Sequence, residues 1–419
     1  MQTPPRMESR FRLLLEALDK SPFWSERCAN QAKGSGLKPF GDFPYLNKSE
    51  ILANQANVGP YGTIPSVPAA QIVRVHQSSG TSGSPLLWGD TSGDWSRLLD
   101  QWDDLFAIAG ITGDDRFFFP FSFGPFLGFW SAFEAVARSG RFCLAGGGLT
   151  SLARLRFIED HHISVVLTTP SYATHLADLA QNNGLDLPTG PVRLLILAGE
   201  PGASMPGIKA RLEATWGAVV LDHHGMTEVG PVSMECPWAK GELHLLDDWY
   251  RIEAIPISGR PGDEGSCGEG CPESELVLTS CARRGMPVVR YRTGDRVQLV
   301  NGPCVCGRVG PRLRGGILGR LDNMMIVRGN NIYPEAIENW LWSQPEVVDF
   351  QGKLIEDKSL SRLVLTLELS GSPEAMGEKA NGLAKRFADR FLFHAEIEPV
   401  EIGTLPKAEH KSRRWIRKK

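Results

Sequence analysis

An α/β fold is predicted for this 419-residue chain, in two parts. Three observations predict it. Short apolar runs alternate with helical stretches between residues 141 and 225. That alternation is the mark of largely parallel strands in α/β layers. Beyond about residue 230 the texture changes to antiparallel strands rich in Gly, Pro and Cys, a small barrel-like β region. From "LGRLDNMMIVRGNNIYP" onward a helix, a strand and a helix read as a small α+β domain. The boundaries drawn are residues 1–320 for the large N-terminal domain and 321–419 for the small C-terminal one.

Residues 6–57 read as helical and then irregular, with a turn at "FPYLNKSE". "AQIVRVH" at 70–76 is β-branched and apolar, a short strand, and "GDWSRLLDQWDDLFAIAG" has helical periodicity. Three strand–helix pairs follow: "RFCLAG" with "LTSLARLRFIEDHH", "ISVVLTT" with "PSYATHLADLAQNNG", and "VRLLILAG" with "SMPGIKARLEATWG". "AVVLDHHG" closes the series, and "SELVLTS", "MPVVRYRT" and "DRVQLV" read as antiparallel strands. In the small domain "PEAIENWLWSQ" and "GEKANGLAKRFADRF" are helices around the strand "SRLVLTLEL".

The composition is that of a globular protein, 42% hydrophobic and 22% charged, and the net charge of −3 implies no nucleic-acid partner. No apolar run reaches the roughly 18 residues that span a membrane. The first 20 residues read as an amphipathic helix and not as a signal peptide. A cytoplasmic protein with reduced cysteines is the expectation.

The chemistry begins after the first strand. Ser78, Ser79, Gly80, Thr81, Ser82 and Gly83 form a turn of small residues. Converging backbone N–H groups in such a turn bind anions, and hydroxyls add donors. The Walker pattern and its lysine are absent, and a plain linker has the same composition. Glu200 in "LAGEPG" and Glu228 in "HHGMTEVG" each follow an apolar strand, where α/β sheets bind ligands. Glu228 offers a hard oxygen for Mg2+, and "RYRTGD" adds Arg292 and Asp295 for phosphate and ribose hydroxyls. Helix caps and surface ion pairs would use the same residue types.

Cys236, His244, Cys304 and Cys306, in "MECPWAKGELHL" and "NGPCVCGRVGPR", make a Cys3His set for structural Zn2+. Cys267 and Cys271 in "GSCGEGC" are rival ligands, and Cys28, Cys143 and Cys281 read as core. "FPFSFGPFLGFWSAF" supplies an aromatic wall in which Phe123, Phe126 and Trp130, with His223, suit a compact or aryl acid. The same density of rings also suits a core.

In order, "SSGTSGSP", "LAGEPG", "HHGMTEVG", "YRTGD", "LGRLDNMMIVRGNNIYPEAIE" and "LPKAEHKSRR" resemble the adenylate-forming acyl-CoA synthetases. "SPFWSERC", "FPYLNKSEI" and "CVCGR" point to the phenylacetate–CoA ligase group. The resemblance implies an AMP-forming acid–CoA ligase, using ATP, Mg2+ and CoA on a small carboxylic acid. It further implies that the Ser78–Gly83 turn handles the departing pyrophosphate and that Gly199, Glu200 and Pro201 lie along adenine. His224, before Gly225 and Met226, stands where the family often has Tyr and would stack on the base. Thr227 would contact the α-phosphate, Glu228 would bind Mg2+, and Asp295 would hold the ribose with Arg320 nearby. Lys411 matches the adenylation lysine, with Lys407 competing and His410 replacing the usual glycine before it. Asp322 would be the hinge of a mobile small domain, or else an N-cap in a fixed turn. A homodimer is the implied assembly. A carrier protein or an amine as acceptor, and a non-catalytic nucleotide-binding regulator, are the rival functions.

Overall fold

The structure, a computed structural model, describes residues 5–29, 41, 43–78, 85–128, 130–257, 273–323, 325–327, 330–355, 362–371, 373–391, 393–405 and 414–418. Ser79, Gly80, Thr81, Ser82, Gly83, Phe129, Cys267, Cys271, Arg328, Lys407, His410 and Lys411 lie outside the described residues. Two compact units form: Met1–Thr168 with Pro191–Gly199 and Val219–Leu318, and Thr169–Gly190 with Glu200–Ala218 and Gly319–Lys419.

The chain opens with helices α1 (Pro5–Lys20), α2 (Pro22–Ala29) and α3 (Lys48–Val58). The sequence predicts helix and then irregular chain over 6–57 with a turn at "FPYLNKSE", and α3 begins in that turn. There the Glu50 carboxylate accepts from the Asn47 backbone N–H at 2.7 Å, and that N-cap contact starts α3. Strand β1 (Arg74–Gln77) pairs antiparallel with β2 (Leu87–Asp90). The strand begins later than "AQIVRVH" predicts, because Ala69–Gln71 turn once as a 3-10 helix after Pro68. Helix α4 (Ser92–Ala109) follows, its start fixed by Thr91 and Asp94, each side chain accepting from the other's backbone N–H at 3.1 Å.

The centre of the first unit is a nine-stranded sheet. In chain order come β3 (Phe117–Phe119), α5 (Trp130–Arg138), β4 (Cys143–Ala145), α6 (Ser151–Asp160), β5 (Val165–Thr168), β6 (Leu194–Leu197) and β7 (Val219–Met226), while α7 (Pro170–Asn182) and α8 (Pro206–Trp216), which follow β5 and β6 in the chain, belong to the second unit. Strands β4, β3, β5, β6 and β7 are parallel neighbours in that order. All four residues of β5 and of β6 are buried, which explains their unbroken apolar runs. Past β7 the sheet turns antiparallel through β8 (Gly230–Cys236) and β9 (Ala239–Leu245). A second sheet holds the antiparallel strands β10 (Tyr250–Pro256), β11 (Ser274–Ser280) and β12 (Val288–Val297). Strands β13 (Leu299–Val300) and β14 (Arg312–Arg314) return to the edge of the large sheet beside β9. Helix α4 packs on β8 and on α5, where Trp102 Nε1 donates to Ser131 Oγ at 2.7 Å.

In the second unit β15 (Gly319–Arg320) leads to a 3-10 turn at Leu321–Asn323 and the hairpin β16 (Met325–Val327) and β17 (Asn330–Ile332). Helix α9 (Pro334–Trp342), β18 (Val347–Ile355), β19 (Arg362–Leu369), α10 (Pro373–Phe391), β20 (Glu396–Val400) and β21 (Trp415–Lys418) complete it. The sheet order is β20, β19, β18, β21. Its core is Ile337, Leu341, Phe350, Leu365 and Phe387. Helices α8 and α9 come very close at Gly207, where a Cβ would sit 2.6 Å from the Trp342 carbonyl oxygen. Among the described residues, no helix is long and apolar enough to cross a membrane.

Candidate active site

The end of β7 gathers the polar groups. His223 and His224 are consecutive, so the pleat turns them to opposite faces. His223 is buried, its ring 4.5 Å from that of Trp102, and its Nδ1 lies 2.8 Å from the Ser233 carbonyl oxygen. A carbonyl only accepts, so Nδ1 carries the proton and Nε2 the lone pair. Burial, aided by the neighbouring His224, pulls the His223 imidazolium down to about 3 against the Ser233 hydrogen bond. His224 points to β12, where its Nε2 lies 3.1 Å from Asp295 Oδ2. Gly225 has no room for a side chain, since a Cβ there would stand 2.9 Å from the Gly230 carbonyl oxygen. Met226 is half-buried against the main core.

Thr227 and Glu228 form the turn from β7 to β8. The Glu228 carboxylate is buried, with Lys48 Nζ 3.0 Å from its Oε1 and the Tyr291 hydroxyl donating to the same oxygen at 3.1 Å. Arg283 Nη1 donates to the Thr227 carbonyl oxygen. The rest of that guanidinium grips Asp90, at 2.7 Å from Nε and 2.6 Å from Nη2. Burial opposes ionisation of Asp90, but Arg283 and His76 outweigh it and hold the carboxyl below its usual range. Lys48, Arg283, Asp90 and Tyr291 had no signal in the sequence that tied them to Glu228.

Ser78 pairs with Leu86: its N–H donates to the Leu86 carbonyl oxygen at 2.9 Å, and its Oγ accepts from Leu86 N–H at 3.0 Å. Gln77 N–H donates to the Pro125 carbonyl oxygen at 2.6 Å, which ties the end of β1 to the aromatic segment. There Phe123 lies among Trp130, Phe121 and Phe133 at centroid distances of 4.5, 4.7 and 5.2 Å. Phe126 stands 48% exposed.

The remaining predicted positions differ in setting. Gly199 follows β6 with a left-handed φ of 91°, before Glu200 and Pro201. Glu200 Oε1 accepts from Ser171 N–H at 2.7 Å, so it caps the start of α7. Arg292 grips Glu275. Arg320 and Asp322 are exposed and paired, Nε to Oδ1 at 2.8 Å and Nη2 to Oδ2 at 3.1 Å.

Cys236 on β8, His244 on β9, and Cys304 and Cys306 between β13 and β14 bring their ligand atoms within 4.8 Å of one another. The Cys304 and Cys236 sulfurs are 3.8 Å apart, and Cys306 Sγ is 3.3 Å from His244 Nε2. Two thiolates at about 2.3 Å on a tetrahedral ion stand about 3.8 Å apart, so the donor set fits zinc. Cys281 is buried, and Cys28 and Cys143 pack half-buried against the core.

A model of the AMP-binding enzyme C-terminal domain matches residues 329–419. Phenylacetate-coenzyme A ligase of Thermus thermophilus is 30% identical over 371 residues, spanning 86% of this chain and 79% of that protein. The chain belongs to the phenylacetate–coenzyme A ligase family. The Pseudomonas putida phenylacetate-coenzyme A ligase is 28% identical over 95% of this chain and 90% of its own length. Among solved structures, 2-hydroxyisobutyryl-CoA ligase in its postadenylation state, in complex with its acyl-AMP, superposes with a TM-score of 0.87 at 25% identity. That match covers 100% of this chain and 91% of the other. Membership makes this phenylacetate–CoA ligase relative an AMP-forming acid–CoA ligase, with ATP and CoA as its co-substrates.

Proposed function

We propose that this ligase activates a compact, aryl-type carboxylic acid and passes it to CoA. The acid's carboxylate oxygen attacks the α-phosphorus of ATP, forming the acyl-adenylate and releasing pyrophosphate. The CoA thiol, giving up its proton, then attacks the acyl carbon and AMP departs. The observation that carries the reading is the convergence at the end of β7: His224 on Asp295, beside a buried Glu228 that already holds a cationic partner.

In this reading Thr227 touches the α-phosphate and Asp295 accepts from the ribose hydroxyls, with Arg320 near the ribose. His224 stacks on the base, with Gly199, Glu200 and Pro201 along it. The Ser78–Gly83 turn takes the leaving pyrophosphate, and Lys411 neutralises charge between phosphate and acid. Glu228 is the residue for Mg2+, whose charge would screen the phosphate oxygens. Phe123, Phe126, Trp130 and the neutral His223 line the acid. Cys236, His244, Cys304 and Cys306 hold zinc, which ties the 301–311 loop to β8 and β9. The small domain, 321–419, turns about Asp322 between the two chemical steps.

The test supplies ATP, Mg2+ and a panel of aryl and short-chain acids, and follows pyrophosphate with and without CoA. An aryl acid should release pyrophosphate and yield a CoA thioester, and Glu228→Gln should lose at least about a hundredfold in that release. Adenylate that CoA does not discharge would assign a carrier protein or an amine as acceptor. Silence with every acid would sink the proposal.

A further inference from the structure

One ion pair in the first unit is wholly withdrawn from water. Arg283 and Asp90 are each 0% exposed. Apolar residues of similar volume can stabilise a core as well as a buried ion pair does, so stability alone does not account for it. What a guanidinium adds is a rigid planar fork with donors in fixed directions. Here two of its nitrogens meet Asp90 and the third meets the carbonyl oxygen of Thr227.

The three residues come from distant parts of the chain. Asp90 ends β2, opposite Arg74 in the β1–β2 hairpin. Arg283 follows β11, and Thr227 opens the turn that carries Glu228. A second contact leads back along the hairpin. His76 on β1 lies with its Nδ1 3.8 Å from Asp90 Oδ2, its ring stacked on Trp95 at 5.3 Å. The pair therefore fixes the Thr227 main chain to the hairpin whose first strand runs into Ser78.

We propose that Arg283, oriented by Asp90, is a positioning residue for adenylate formation. It sets the Thr227–Glu228 turn so that hydroxyl and carboxylate meet the triphosphate at the geometry of the first transition state. The proposal rests on the roles given above to Thr227 and Glu228. Small displacements of reacting groups lower rates steeply while leaving binding little changed.

Arg283→Lys is the test. A lysine keeps the charge against Asp90 but offers a single point, so it cannot hold the carboxylate and the carbonyl in one plane. The variant should form adenylate at least about tenfold more slowly, with KM for ATP within about threefold of the parent. Thioester formation from preformed adenylate should stay within about twofold. Asp90→Asn should repeat the pattern, and it carries the test if the lysine variant does not fold. A parental adenylation rate in a folded variant overturns the proposal. So does an equal fall in both half-reactions, the mark of a purely structural residue. Glu228→Gln, run beside them, separates the two levels: if it alone loses adenylation, the positioning role fails and the site stands. If it keeps full activity, the site assignment itself fails.

Discussion

At the scale of single residues, His223 makes the sharpest prediction. Its folded pKa of about 3 lies well below the ordinary value of 6.5. The unfolded chain therefore binds a proton between those two values that the native chain does not. Stability is intact above about pH 6.5 and falls as pH drops toward 3. At pH 4.5 this one group accounts for about 2 to 3 kcal/mol. An Asn at 223 can still donate to the Ser233 carbonyl but cannot be protonated. Between pH 7 and 4.5, urea unfolding of His223→Asn should lose about that much less stability than the parent. Equal losses in both proteins would mean that His223 is not held neutral. The same scale shows what the sequence could and could not disclose about the site. His224, Glu228 and Asp295 stood out because each follows or ends an apolar strand with a short motif. Lys48 and Arg283 did not. They lie 180 and 55 residues from Glu228 along the chain, and only folding brings them to that turn.

At the scale of elements, legibility follows the physics of burial. Strands β5 and β6 were readable because burial of every residue writes an unbroken apolar run. Helix α3 was not, since only Ile51 in it is buried and its start depends on the contact of Glu50 with the Asn47 backbone. The loop from 301 to 311 is the extreme case. Val305 and Val309 there stand 81% and 74% exposed, so apolar burial does little to hold it. Backbone bonds from Cys304 N–H to Arg308 and from Gly307 N–H to Cys304 fold it back on itself. Leu245 N–H on β9 donates to the Pro311 carbonyl oxygen at 3.1 Å and Arg312 Nη1 to that of Gly302 at 2.6 Å, and a tetrahedral ion at Cys236, His244, Cys304 and Cys306 would add a further tie to β8 and β9. Purified protein should contain about one zinc per chain. Stripping it with a strong chelator should lower Tm by at least about 3 °C. Cys306→Ser should show the lower Tm already and respond little to the chelator. Metal-free protein with an unchanged Tm would exclude the staple.

At the scale of the whole molecule, two successive reactions must share one set of ligands. In the proposed reading adenylation uses a lysine between the acid and the α-phosphate. Thioester formation needs an open path for a thiol to the same carbonyl carbon. A chain that turns part of itself between the steps meets both demands, provided the junction has few constraints. Asp322 suits such a junction, because it sits in a short 3-10 turn and its side chain, 64% exposed, pairs with Arg320 at the surface. Proline at this position would hold φ near −65° and remove the freedom that a swing requires. Asp322→Pro should therefore leave one half-reaction within about threefold of the parent and slow the other at least about a hundredfold. Pyrophosphate release reads the first step, and discharge of preformed adenylate to CoA reads the second. An Ala at 322, which leaves φ free, should affect both steps little. If proline changes neither step, or slows both alike, the turning point lies elsewhere in the chain.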